Sequence, residues 1–168
     1  MRILVKMAIA AVLLSIGAQP ANPATSPYPA DAIVVRKSER SLLLMRDGAV
    51  IGRYRISLGL DPDGPKQREG DFRTPEGRYR LIRRNARSDF FLSIQISYPN
   101  QQDITRARRQ GWAPGGQIMI HGVPNRPKFP AEYYEQRDWT DGCIAVTNSD
   151  MVEIWLLTTH DTPIEILP

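Results

Sequence analysis

The chain has 168 residues, 42% of them hydrophobic and 24% charged, which suits one packed domain of ordinary size and excludes wholesale disorder. Fourteen Pro and twelve Gly favour short elements with many turns over a long helical bundle, and a single Cys excludes an intramolecular disulfide. The formal net charge is +4, and setting aside Arg2 and Lys6 of the N-terminal segment leaves an excess that ordinary surface charge accounts for, so no nucleic-acid partner is expected.

Arg2 and Lys6 precede an apolar run from Met7 to Gly17, with Gly17 and Ala18 as small residues at its end. This is the pattern of a secretory leader over residues 1–18. The run is well short of the roughly 20 residues that span a bilayer. Membrane contact is therefore expected only through an uncleaved leader, and the protein is expected to be exported, to the periplasm or cell envelope. Residues 19–30 carry several prolines among small residues and read as a linker. The folded unit is expected to cover residues 31–168.

From Ile33 the pattern turns to short β segments: Ile33 to Val35, Ser41 to Met45 and Arg53 to Leu60. Asp47-Gly48 supplies a hairpin turn, which predicts an antiparallel meander. The stretch from Asp61 to Gly77 is turn chemistry throughout and predicts a surface loop leading into a strand from Arg78 to Arg83. Phe91 to Tyr98 reads as a further strand. Asn100 is placed to cap a short polar helix from Gln101 to Gln110, which Gly111 stops. Gln117 to His121 is a short apolar strand ending on a histidine, and Ala131 to Gln136 has room for a helical turn. Asn148 or Ser149 is expected to cap a helix through Leu157, with Met151, Ile154 and Trp155 on one face. Pro163 to Leu167 is a last strand. The sum is a mainly β single domain, a sandwich-like barrel with a few short helices.

Two residues carry the chemistry: His121, ending its strand, and Cys143, within Trp139-Thr140-Asp141-Gly142-Cys143-Ile144. A free thiol is only a few per cent thiolate at neutral pH, and an adjacent imidazole remedies this by taking the proton. Gly142 removes a side chain where a substrate carbonyl must approach, and the Gly142 and Cys143 N–H groups are candidate oxyanion donors, a contribution typically worth about 3–4 kcal/mol. A Cys followed by Ile144, Ala145 and Val146 is equally the pattern of a small buried hydrophobe, and a lone His that of a satisfied polar group. Export tips the balance, since an unpaired thiol in an oxidising compartment is a liability unless it is used. Two His and one Cys leave a tetrahedral zinc site short of ligands, so no metal is expected.

The ordered motifs Ser57-Leu58-Gly59, Thr74-Pro75-Glu76-Gly77-Arg78-Tyr79, Ile120-His121-Gly122 and Thr140-Asp141-Gly142-Cys143-Ile144 together resemble the L,D-transpeptidases with the YkuD-type catalytic domain. Thr147-Asn148 and Asp150 extend the match, which covers almost the whole chain after the leader. The resemblance implies a YkuD-like β-sandwich or barrel, with Cys143 as nucleophile, His121 as general base and then acid, and the Gly122 carbonyl orienting the imidazole. It implies peptidoglycan stem tetrapeptides as substrate and partner, cleavage before the terminal D-Ala through a thioester, and no cofactor. Trp139, Thr140, Asp141 and Asn148 are the candidate substrate-binding residues. Asp141 stands where the family usually has His, and Ala145 where it usually has Arg or Asn, which bears on the acyl acceptor.

Three readings follow from these residues: a transpeptidase, a hydrolase (an L,D-carboxypeptidase or amidase) using the same Cys and His, and a catalytically silent wall-binding module. Among the remaining residues, Trp112 either lines a groove or packs a turn. Arg106, Arg108 and Arg109 read as a solvated helix face, His160 as a surface-turn residue, and Thr74 and Pro75 as loop-fixing residues.

Overall fold

Asp47 and Gly48 take φ values of +51° and +77°, the successive left-handed residues that a two-residue hairpin demands. They join β2 (Ser41–Arg46) to β3 (Ala49–Arg55). The computed structural model describes residues 29–168, so the expected leader and nearly all of the linker lie outside the described residues. β1 (Ala32–Arg36) pairs antiparallel with β2, completing the expected meander. β3 starts at Ala49, earlier than the sequence suggests, because so tight a turn lets pairing resume at once.

The remaining strands are β4 (Gly77–Ser88), β5 (Phe91–Ile96), β6 (Met119–His121), β7 (Ile144–Ala145) and β8 (Pro163–Leu167). They form one row in the order β3-β2-β1-β8-β4-β5-β6-β7. The β1–β8 and β6–β7 pairs are parallel and the others antiparallel. Past β3, Ser57 and Ala145 exchange both backbone hydrogen bonds at 2.8 Å, and Gly59 bridges Thr140. The two ends of the row thereby meet, closing the sheet as a barrel. This closure also explains why β3 pairing stops at Arg55: the chain leaves β2 to pair with the Cys143 segment.

Ile33, Val35, Leu42, Leu44, Ile94, Ile120, Ile144 and Ile164 are buried in one cluster, joined by Met151 and Ile154 from α3 (Asn148–Leu157). Burying each such side chain is worth about 1.5–3 kcal/mol, and the cluster backs the strands that end at His121 and begin after Cys143. The cap of α3 is Thr147, whose hydroxyl accepts the Asp150 N–H at 3.1 Å, one residue before the expected Asn148. α1 (Gln101–Arg109) starts as expected: the Asn100 side chain accepts from the N–H groups of Gln102 and Asp103, and Asp103 accepts from the Asn100 N–H. α2 (Ala131–Gln136) matches its expected range.

The loop from Asp61 to Glu76 is pinned from beneath. Buried Lys37 donates to Glu76 (2.7 Å) and to the Gly64 carbonyl (2.6 Å), and buried Lys66 pairs with Asp71 (2.7 Å). Thr74 is fully buried, its hydroxyl accepting the Gly59 N–H at 3.2 Å, the loop-fixing role that its sequence context suggests.

Candidate active site

The parallel pairing of β6 with β7 sets Ile120 opposite Ile144 and His121 opposite Ala145. His121 therefore ends one strand beside the segment that Cys143 leads. Both side chains line a cavity of about 280 Å³ together with Phe90, Gln117, Met119, Trp139 and Asp141.

The His121 ring is 4% exposed, with Phe90 at 4.7 Å and Trp139 at 5.6 Å between ring centroids. Its Nδ1 lies 2.7 Å from the Gly122 carbonyl oxygen. A carbonyl only accepts, so Nδ1 carries the proton and Nε2 holds the free lone pair. Gly122 itself is buried, and a Cβ built there would overlap Asn148 Oδ1 and approach Phe91 Cβ to 3.1 Å. Asn148 Oδ1 in turn accepts the Val123 N–H at 3.0 Å. The first turn of α3 thus fastens the backbone that orients the imidazole, and Asn148, a candidate substrate contact from sequence, has its carbonyl committed inside the protein.

Burial pushes the His121 imidazole down to about 4, with the Gly122 hydrogen bond opposing the shift. Burial pushes the Cys143 thiol up from its ordinary value. The Asp141 carboxylate adds to this, and the Met119 backbone and Lys66 pull the other way. The thiol donates weakly to the Gln117 carbonyl at 3.8 Å. Both shifts favour the neutral thiol and the neutral imidazole over the ion pair. The sequence suggests instead a thiolate formed in advance by its neighbour, an arrangement that the burial of both groups disfavours.

Gly142 has a φ of +124°, and a Cβ built there would lie 2.5 Å from the Arg73 carbonyl oxygen. Only glycine fits between that carbonyl and Cys143. Its N–H, one of the two expected oxyanion donors, instead donates to Thr140 Oγ1 at 3.1 Å. The Thr140 hydroxyl also donates to the Cys143 carbonyl at 2.8 Å and is buried. Thr140 is thus a fastener of the turn, with its hydroxyl already engaged, and Cys143 N–H remains the candidate donor. Asp141 is exposed at the cavity rim. Trp139 forms a wall, its indole N–H donating to the Tyr134 carbonyl at 3.1 Å.

Trp112 lines a separate pocket with Arg68 and Arg73 and lies under the Arg68 guanidinium at 5.7 Å. His160 sits exposed beside Asp161. Three residues of the site escape sequence reasoning. Phe90 lies far upstream in the turn between β4 and β5, and Gln117 is held with φ at +55°. Asp138 accepts from Arg40 Nε on both oxygens (3.0 and 3.1 Å), from Arg40 Nη2 on Oδ2 (2.7 Å) and from the Leu58 N–H on Oδ1 (2.8 Å). The one signal for Asp138 is its place just before Trp139.

A sequence model of the YkuD L,D-transpeptidase catalytic domain matches residues 30–166. YafK of Escherichia coli K12 is 33% identical over 134 residues, 76% of this chain and 46% of YafK. Among solved structures, the helical cell shape determining protein Pgp2 from Campylobacter jejuni superposes with a TM-score of 0.61 at 26% identity, covering 80% of this chain and 46% of Pgp2. Bd1075 from Bdellovibrio bacteriovorus gives 0.55 at 24% identity, covering 81% and 47%, and shares the fold. The chain spans about half the length of these relatives. With the expected motifs on one barrel and the family model matching nearly all of the described residues, the chain belongs to the L,D-transpeptidase family with the YkuD-type catalytic domain.

Proposed function

We propose that the domain is an exported cysteine transpeptidase acting on peptidoglycan stem peptides. The observation that carries this reading is the pairing of Cys143 with His121 in one cavity, the imidazole held by Gly122 so that Nε2 is its basic nitrogen. Sγ attacks the carbonyl between the third stem residue and the terminal D-Ala as its proton passes to His121 Nε2. Collapse of the tetrahedral adduct breaks the C–N bond, and the imidazolium returns the proton to the departing D-Ala amine. An acceptor amine then attacks the thioester carbonyl and gives a proton to His121; the C–S bond breaks as the new amide forms, and the imidazolium returns that proton to Sγ. Because both partners are neutral at rest, proton transfer belongs to the attack itself. Cys143 N–H is assigned to the developing oxyanion.

Asp141 supports transfer to an amine over transfer to water. Its exposed carboxylate at the cavity rim attracts a protonated amine such as the side-chain amine of a diaminopimelate acceptor. Mass spectrometry of muropeptides incubated with the mature protein tests the reading. A cross-linked or exchanged product and a covalent acyl adduct on Cys143 are expected, and both vanish in Cys143→Ala. Cys143→Ser is expected to be nearly inactive. Tripeptide as the dominant product at every acceptor concentration replaces the transferase with a hydrolase; normal turnover by Cys143→Ala overturns the mechanism.

A further inference from the structure

The rings that wall the cavity do not stop at its mouth. Trp139 lies edge-on to His121 at 5.6 Å, Tyr134 edge-on to Trp139 at 5.1 Å, and Tyr133 edge-on to Tyr134 at 5.4 Å. Phe129 stacks on Tyr133 at 4.3 Å with planes 27° apart. The run leads from the buried imidazole to an open surface, where Phe129 is 52% exposed and Tyr133 is partly exposed. It is also built to stay put. The buried Tyr134 hydroxyl accepts the Lys128 and Phe129 N–H groups (2.9 and 3.3 Å), and the Tyr134 carbonyl takes the Trp139 indole N–H and the Ser57 hydroxyl. The Arg137 guanidinium lies 5.7 Å from the Tyr133 ring centre, setting a donor beside the platform.

Exposed aromatic surface fixed in this way, with a cation at its edge, suits a ligand that offers a flat C–H face and peripheral hydroxyl or amide acceptors. A pyranose ring has that character. We infer that Phe129 and Tyr133 form a subsite for an N-acetylated amino sugar of the donor strand, continuous with the cavity. This rests on the proposed reading that stem peptides are the substrate. The stem is attached to such a sugar at the end opposite its terminal D-Ala. With the third residue at Cys143, three extended residues reach about 10 Å, and the link to the sugar and the sugar ring itself carry the ligand on toward Tyr133, three ring-to-ring steps of 5.6, 5.1 and 5.4 Å from His121.

The test compares binding of a disaccharide-tetrapeptide with that of the free tetrapeptide to the Cys143→Ala protein, followed by tryptophan fluorescence and by amide shifts, so that no turnover is needed. The unaltered platform is expected to bind the disaccharide-tetrapeptide roughly 2- to 12-fold more tightly, the range of a stacking contact. Phe129→Ala with Tyr133→Ala should collapse that ratio toward one. Phe129→Leu, which keeps an apolar side chain on an exposed site, should lower it partway and guards against misfolding of the double variant. Equal affinity for the two ligands with the platform intact overturns the sugar subsite while leaving the stem-peptide reading standing, as does a ratio unchanged by the substitutions. Binding of neither ligand overturns both.

Discussion

Arg40 and Asp138, on opposite sides of the sequence midpoint, form a side-chain pair in which Asp138 Oδ2 takes Arg40 Nη2, both carboxylate oxygens share Arg40 Nε, and Asp138 Oδ1 also takes the Leu58 N–H. One carboxylate, just before Trp139, thus holds the turn between β1 and β2 and the segment past β3 together. Asp138→Ala leaves a guanidinium and a backbone N–H without their partner, and a loss of about 2–3 kcal/mol is expected. Arg40→Ala should cost less, since its partner keeps the Leu58 bond, and the double variant should be clearly non-additive. Thermal or urea unfolding of the four proteins measures this. Additive losses would mean that the two residues act independently.

The neutral resting pair has a signature in pH. The His121 imidazole, held at about 4 in the fold against 6.5 as its ordinary value, binds fewer protons folded than unfolded between those limits. Stability is therefore full above about pH 6.5 and is lost as the pH falls toward 4, by about 3 kcal/mol from this residue. Urea midpoints between pH 4 and 7 should show this slope, and His121→Gln should flatten it. The acid limb of kcat/KM should fall near pH 4 and not near 6.5. A limb at the ordinary histidine value would mean that the ring is more hydrated than its burial implies.

On the thiol the electrostatics run the other way. Burial and Asp141 both raise Cys143, so iodoacetamide labelling should show a midpoint above the ordinary thiol range. Asp141→Asn removes the repulsive carboxylate and should move that midpoint down while lowering the ratio of transfer to hydrolysis. The two readouts separate: an unchanged ratio beside a shifted midpoint would show that the carboxylate tunes the nucleophile without drawing in the acceptor.

Gly122 and Asn148 make a steric prediction. A methyl group at residue 122 overlaps Asn148 Oδ1, so Gly122→Ala should destabilise the fold by about 1–3 kcal/mol and depress kcat more than it raises KM, because the displaced backbone carries the imidazole. Adding Asn148→Ala should relieve the overlap in part, although the Val123 N–H then loses its acceptor. Melting temperatures and steady-state kinetics of the single and double variants provide the check.

Local chemistry made much of the fold legible from sequence. Asp47-Gly48 marks its own turn, Asn100 and Gly111 bracket α1, and the β1, β2 and β8 segments alternate or run apolar where they are buried. What was missed depends on partners distant in sequence. β7 has two residues and exists because Ser57 on one side and β6 on the other supply its ladder. The Gly142 N–H looks free in sequence and is engaged because Thr140 folds back on it. Asn148 and Ser149 both suit a cap by residue type, yet the Val123 N–H claims Asn148 and the cap falls to Thr147. Cys143 and His121 stand out as residue types, whereas Phe90 carries no local sign that a strand turn will deliver it to the imidazole.

The ladder between β6 and β7 has a bearing on how such a protein diversifies. Backbone pairing of Ile120 with Ile144 and of His121 with Ala145 sets the placement of the reactive groups, whereas the chain from Val123 to Asp138 leaves the barrel and returns to it. A parallel pair requires such an excursion and places little demand on its length. The excursion carries α2 and the exposed rings and contains neither His121 nor Cys143, and it is anchored to the barrel through Tyr134 and Asp138, so what lies between those anchors and β6 is open to exchange. Substituting that part with a segment of different length and surface is expected to change which ligands are recognised while the paired strands keep His121 and Cys143 in register.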